Sequence, residues 1–335
     1  MVLVTGGTGL VGSHLLYQLS LENENIIAIH RKSSDLNAVK RVFSYYTKGY
    51  EVLFDKITWK IANINDISSL DKAFDKITHV YHCAALVSFN PKDYKLLRKI
   101  NIEGTANMIN LSIANKVQKF CFVSSIASVG KSIKGKSITE ENEWNADEKH
   151  HGYAISKYGA EVEVWRGSQE GLAIVIVNPG VILGAGFFKT GSGKLFDSVY
   201  KGFKYYTGGI TGFVSVESVV GSMIALMKST IKSERYILVA ENLSFKDVLQ
   251  QIAVGFNKKK PSIKVSKLLS EFGWRLAWLK STFTGSDPLI TKHSARSSHD
   301  KRYYTSEKLE KAIGFKYGSI STSIKKTCAL YKQDH

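Results

Sequence analysis

The stretch "VLVTGGTGLVGSHLLYQLSL", residues 2–21, constrains the fold more than any other part of the chain. "VLV" has the length and apolarity of a buried strand. Gly6, Gly9 and Gly12 follow at intervals of three, and "SHLLYQLSL" then carries helical periodicity. "IIAIH", residues 26–30, reads as a second buried strand. Strand, glycine turn, helix and strand in this order make a unit that binds dinucleotides. The first glycine allows the tight turn, the second lets backbone approach a pyrophosphate, and the third lets helix and strand pack closely. The helix N-terminus then offers unpaired N–H groups to the phosphates. A glycine triplet alone is weak evidence; its place between a strand and a helix gives it meaning. The cofactor turn is therefore expected to run through Gly6, Thr8, Gly9, Leu10, Val11 and Gly12.

The second strand ends in His30, Arg31 and Lys32. A carboxylate at this point would bond the ribose 2′-hydroxyl of NAD, whereas cations suit the 2′-phosphate of NADP. NADP is favoured. NAD stays open if the acidic partner lies elsewhere, with Asp35 the candidate.

Strand-like and helix-like segments alternate as far as "LAIVIVNPG", residues 172–180. Such alternation predicts an α/β fold with a doubly wound parallel sheet. "ITWKIANI", "HVYHCAAL" and "KFCFVSSIAS" read as strands, and "YKLLRKINIEGTANMINLSIAN" as one long helix. Beyond Gly180 the pattern loosens. The expected division is a cofactor-binding domain over 1–180 and a smaller substrate-binding domain over 181–335, with about 213–240 returning to the first.

A hydrophobic content of 44% and a charged content of 22% suit an ordinary globular protein with an ample core. No apolar run approaches the ~20 residues needed to span a bilayer. The strand pattern starts at Val2, which leaves no room for a signal peptide. Cys83, Cys121 and Cys328 are widely spaced and form no metal or redox motif, so a reducing cytoplasm is expected. The net charge of +17 is unusual, and from residue 251 onward 17 Lys plus Arg face only 6 Asp plus Glu. That surplus suits a solvated surface, a phosphorylated ligand or an anionic membrane. No nucleic-acid-binding signature accompanies it, so nucleic acid is not expected as a partner.

"YAISK" places Tyr153 and Lys157 at i, i+4 on a helix. Free tyrosine titrates at about 10 and is a poor acid or base at neutral pH. A nearby ammonium favours the phenolate and brings the phenol toward a working range, and it can also hold ribose hydroxyls. The pair is common on helices and takes its meaning from the glycine turn upstream.

"TGGTGLVG", "YHCAA", "NIEGTAN", "VSSIAS" and "YAISK" occur in this order between residues 5 and 157, and "VNPGVILG" extends the series to 184. With these motifs the chain resembles the extended short-chain dehydrogenases/reductases of the NAD-dependent epimerase/dehydratase superfamily, and so implies a Rossmann fold. The resemblance implies Tyr153 as acid/base, Lys157 as its modulator and Ser125 as the hydroxyl that orients the substrate oxygen. Ser125 is preferred to Ser124 because the family serine stands five residues before a glycine, here Gly130. Asn101 takes the place of an asparagine that supports the neighbouring helix and a proton-relay water. Asn63, beside Ile64, stands where the family usually has an aspartate against the adenine amine, a departure an amide tolerates. Ala84 and Ala85 are implied to line the cofactor through backbone, and Asn178, Pro179 and Gly180 to complete its site.

Ile126 and Ala127 follow Ser125, where the 4,6-dehydratases of this family carry acids, so dehydration is disfavoured. "VNPGVILG" is more similar to the dihydroflavonol reductase and 3β-hydroxysteroid dehydrogenase branch than to sugar epimerases. The expected activity is NAD(P)-dependent reduction or oxidation at a carbonyl or hydroxyl carbon. A nucleotide-sugar epimerase is the alternative, and a non-catalytic dinucleotide-binding regulator a further one. The substrate is thus a carbonyl compound or a sugar nucleotide, met through loops near 86–92, 184–212 and 270–290. "FGWRLAWLK", residues 272–280, reads as an amphipathic helix that covers a substrate pocket or makes weak peripheral membrane contact. A homodimer is compatible with the family.

Overall fold

The computed structural model describes residues 1–22, 25–132, 135–284 and 291–335. The alternating segments become strands β1 (Val2–Thr5), β2 (Ile26–His30), β3 (Ile57–Ile61), β4 (His79–His82), β5 (Lys119–Val123) and β6 (Ile174–Pro179). The chain then makes β7 (Val181–Leu183), β8 (Tyr205–Tyr206) and β9 (Ile210–Ser215), returns as β10 (Glu234–Leu238), and continues into β11 (Glu241–Ser244) and β12 (Ile263–Lys264). Seven strands form one sheet in the order β10-β6-β5-β4-β1-β2-β3, with every neighbouring pair parallel. A three-stranded sheet, β11-β9-β7, and the short pair β12-β8 stand apart from it.

The uninterrupted apolar runs follow from burial on both faces of this sheet. Side chains alternate along a strand. Val2, Val4, Cys121, Val123, Val175 and Val177 enter one core, with the helix Val216–Lys228 packed over it. Leu3, Phe120, Phe122, Ile174 and Ile176 enter the other, under the helices Gly104–Ala114 and Gly152–Gln169. A third core, built from Phe188, Phe196, Phe213, Ile252, Phe256 and Tyr331, fills the region beyond β6.

The segment expected as one long helix over 94–115 is divided. Tyr94–Leu97 is α-helical, Arg98–Glu103 is a π-helical turn, and Gly104–Ala114 is α-helical again. The wider turn re-aims Asn101 into the protein, where it is buried. The segment 119–128, expected as a strand throughout, leaves the sheet after Val123 and ends in a short turn, Ile126–Ser128. The strand order reverses between β1 and β4, so a crevice opens beyond their carboxyl ends. In doubly wound sheets this is where ligands bind.

Candidate active site

The glycine turn lies in that crevice. Gly6 has a φ of +68°, and a Cβ there would stand 2.6 Å from the Ala84 nitrogen. A Cβ on Gly12 would stand 2.2 Å from the Gly6 carbonyl oxygen, so both positions exclude a side chain. Gly9 N–H donates to that same oxygen at 3.0 Å, and Gly9 caps the helix Leu10–Leu21 without a side-chain bond. The first helical bond runs from Ser13 N to Gly9 O at 2.9 Å. The N–H groups of Leu10, Val11 and Gly12 therefore lack helical acceptors. Thr8 is half-buried in the same turn. A pyrophosphate fits this cradle of bare backbone and free donors.

A polar chain ties the turn to the next loop. Ala84 N–H donates to Thr5 Oγ1 at 3.2 Å, and Thr5 Oγ1 lies 2.6 Å from His82 Nδ1. His82 Nε2 lies 3.0 Å from Thr105 Oγ1, which donates to Asn101 O at 2.6 Å. Because Thr105 uses its proton on Asn101, His82 must donate from Nε2 and accept at Nδ1. The fully buried ring is held neutral, its pKa pushed down to about 3 by burial and then by the Lys157 charge. Ala85, one residue on, is exposed at the crevice.

At the end of β2, Arg31 and Lys32 are exposed, and His30 Nδ1 lies 3.0 Å from Arg31 O. Asp35 caps the helix Leu36–Ser44, accepting from Asn37 N at 2.9 Å. Asp35, the acidic candidate beside the basic trio, thus bonds its own helix. Asn63 is exposed and uses Oδ1 to accept from Asn65 N at 3.1 Å, while Ile64 is buried against Gly104.

Tyr153 and Lys157 share one face of the helix Gly152–Gln169, which His151 caps by accepting from Ala154 N at 3.2 Å. Ser125 Oγ hydrogen-bonds the Tyr153 phenol and also accepts from Ala127 N at 3.1 Å. Burial pushes the phenol up to about 12, and the Ser125 bond opposes the rise. Lys157, the residue expected to lower it, also bonds the neighbouring strand. Lys157 is 1% exposed, donates from Nζ to Val123 O at 2.7 Å, and stands 4.4 Å from the centre of the Phe122 ring. Burial lowers its pKa to about 8, with Glu161 and then Cys83 acting the other way. The tyrosine ring is walled by Phe89, edge-on at 5.7 Å, and by His151 at 6.1 Å. Asn101 Oδ1 accepts from Leu86 N at 2.7 Å, and its Nδ2 lies 2.9 Å from both Leu86 O and Ser156 Oγ. It thereby links the 84–90 loop to the tyrosine helix.

Sequence reasoning missed Glu161, one further turn along the same face. It is buried and gathers Ser124, Ser128 at 2.5 Å and Asn178 Nδ2 at 2.5 Å, with Arg235 at 3.4 Å. Asn178 Nδ2 also lies 3.1 Å from Ser125 O, so this residue braces the serine from behind. Pro179 is buried in β6 opposite Leu238. Gly180 is dictated by backbone approach, since its Cβ would stand 2.4 Å from Gly212 O. The only sequence signal for Glu161 was the i, i+4, i+8 spacing in "YAISKYGAE".

The family model described as male sterility protein, an NAD-binding family, matches residues 4–220 and so spans the glycine turn, Ser125, Tyr153 and Lys157. The chain belongs to the extended short-chain dehydrogenases/reductases. This dehydrogenase/reductase family member is 26% identical over 324 residues to anthocyanidin reductase of Arabidopsis thaliana, covering 82% of this chain and 89% of that one. It is also 26% identical over 270 residues to UDP-glucose 4-epimerase of Vibrio cholerae, covering 77% and 76%. The solved structure of gox2253 matches with a TM-score of 0.83 at 23% identity, over 100% of this chain and 98% of that one, a likeness of fold. The relatives include reductases and epimerases, and the family binds NAD-type cofactors.

Proposed function

We propose that the protein is an NADPH-dependent reductase of a carbonyl compound that carries an apolar or aromatic group. The observation that carries this reading is the mouth of the crevice. Val87 and Phe89, 55% and 42% exposed, stand on the loop beside Tyr153, where a sugar nucleotide would want polar partners. The residues present also fit a dinucleotide. The donors of Leu10, Val11 and Gly12 would hold its pyrophosphate, Arg31 and Lys32 its 2′-phosphate, and the Ala84–Ala85 backbone and Lys157 its nicotinamide half. When bound, the nicotinamide supplies the hydride.

The chain's own residues manage the proton. A substrate carbonyl oxygen accepts from Ser125 Oγ and from the Tyr153 phenol, which are already in hydrogen-bond contact. Tyr153 delivers its proton to that oxygen as negative charge develops there. The Lys157 ammonium, a helical turn away, favours the phenolate left behind. Asn101 keeps the loop and the helix in register, so that the wall and the acid move as one.

The likeness to an epimerase supports a second reading that uses the same three side chains. The fate of the cofactor separates the two. With a panel of aryl and alkyl carbonyl compounds, NADPH absorbance is expected to fall in step with alcohol formed. Conversion of a UDP-sugar to its epimer with no net change in nicotinamide redox state would overturn the reductase reading.

Arg31→Ala tests the cofactor choice. Loss of one charge-assisted bond to a 2′-phosphate is expected to weaken NADPH relative to NADH by about 1.5–3 kcal/mol, or roughly 10- to 150-fold. Isothermal titration with both cofactors reads the difference. Equal losses for both, or tighter NADH binding by the unmodified protein, would reject NADP.

A further inference from the structure

The helix Lys267–Thr284 is amphipathic in the reverse of the usual sense. Ser270, Glu271 and Trp274 face the protein. Ser270 Oγ lies 2.8 Å from His299 Nε2, and Glu271 accepts from Arg296 at 2.5 Å and from Arg275 at 2.9 Å. Trp274 donates to Glu271 at 2.9 Å, and Lys292 stands over its ring at 5.8 Å. The apolar residues face outward: Leu268 is 75% exposed, Leu269 52%, Phe272 66%, Leu276 68% and Leu279 47%. At 3.6 residues per turn these five fall within an arc of about 100°. The ribbon that leads into the helix adds Tyr205 and Ile263, register partners on β8 and β12 that are 45% and 43% exposed.

Scattered exposed apolar side chains are ordinary, but a stripe of five along one helix marks a surface that something covers. The charge around it restricts the cover. Lys264, Lys267 and Lys292 are exposed, as are Arg275 and Arg296. Glu271 is already held by the two arginines, so the border carries a surplus of positive charge. A second copy docked on this face by two-fold symmetry would bring two cationic borders together, which is unfavourable. A lid over the catalytic crevice would need the stripe turned inward, and it faces away from the body. Among the described residues no helix is long and apolar enough to cross a membrane.

We infer that this face docks on an anionic lipid bilayer, with Leu268, Phe272, Leu276 and Leu279 in the acyl boundary and the lysines and arginines at the headgroups. An interfacial helix of this kind binds through buried apolar area plus attraction to anionic lipid. The inference is independent of the catalytic reading and stands whatever the reaction is.

Co-sedimentation of the full chain with phosphatidylcholine vesicles, with and without phosphatidylglycerol, tests it. Binding is expected to be at least about ten-fold stronger with phosphatidylglycerol present and to weaken as salt rises. The double variant Phe272→Ser, Leu276→Ser is expected to lose at least about ten-fold, and so is Lys264→Glu, Lys267→Glu. All four positions are exposed, so near-ultraviolet circular dichroism should be unchanged. Three outcomes would overturn the inference. The first is that the unmodified chain fails to pellet with anionic vesicles, and the second that the Phe272, Leu276 variant pellets as well as the parent. The third is that, by sedimentation equilibrium, this variant turns a dimer into a monomer, which would assign the face to a second copy.

Discussion

Tyr153→Phe is expected to lower turnover by at least about 100-fold, a loss of about 2.7 kcal/mol of transition-state stabilisation. The substitution removes the proton and leaves the ring. The edge-on contact with Phe89 and the contact with His151 are made by the ring, so the helix and the loop keep their places. Dinucleotide binding should stay within about two-fold of the parent, because the glycine turn lies on another element. The measurement is single-turnover NADPH oxidation beside fluorescence titration of the cofactor. Near-normal turnover would remove Tyr153 as the acid. A fall in cofactor affinity that matched the fall in turnover would mean that the phenol holds the cofactor and does not move a proton. Ser125→Ala should show a smaller deficit, since it removes an orienting bond and leaves the proton donor in place.

The parts of this enzyme that were legible in the sequence are those set by local pattern. β1, β5 and β6 are apolar throughout because both faces of the sheet are covered, and Gly6 and Gly12 are legible because backbone occupies the space a Cβ would need. What escaped reading depends on partners distant in sequence. Lys157 was read for its charge beside the phenol, and no spacing within the helix encodes the carbonyl on β5 to which its ammonium also donates. The π-helical turn at Arg98–Glu103 has no proline or glycine inside it to betray it. Its cause is tertiary, in the bonds that Asn101 makes to Leu86 and Ser156. Nothing but its spacing from Tyr153 and Lys157 sets Glu161 apart on a long helix. Only the fold brings Ser124, Ser128, Asn178 and Arg235 to it from three separate segments.

That buried carboxylate makes the second strong prediction. Glu161→Leu strips the acceptor from two hydroxyls and an amide and leaves Arg235 without its ion partner. Removing one member of a buried pair costs about 3–5 kcal/mol, and thermal unfolding should shift down by several degrees. Glu161→Gln keeps an acceptor of the same shape and should cost only about 1–2 kcal/mol. The milder variant separates a role in positioning from a purely structural one. Glu161 raises the pKa of Lys157 against the larger effect of burial, which leaves it at about 8. A lysine held below its unfolded value costs stability while charged. That cost is relieved as pH rises through about 8 toward the free lysine value near 10.4. Activity runs the opposite way, because the charged form favours the phenolate, so turnover should decline as pH rises through about 8. Without the Glu161 charge the lysine deprotonates earlier, and in Glu161→Gln the alkaline limb of the pH–rate profile should move to lower pH. An unchanged limb beside a lowered melting temperature would reduce Glu161 to a structural brace. A limb that moved to higher pH would reject the electrostatic link between Glu161 and Lys157.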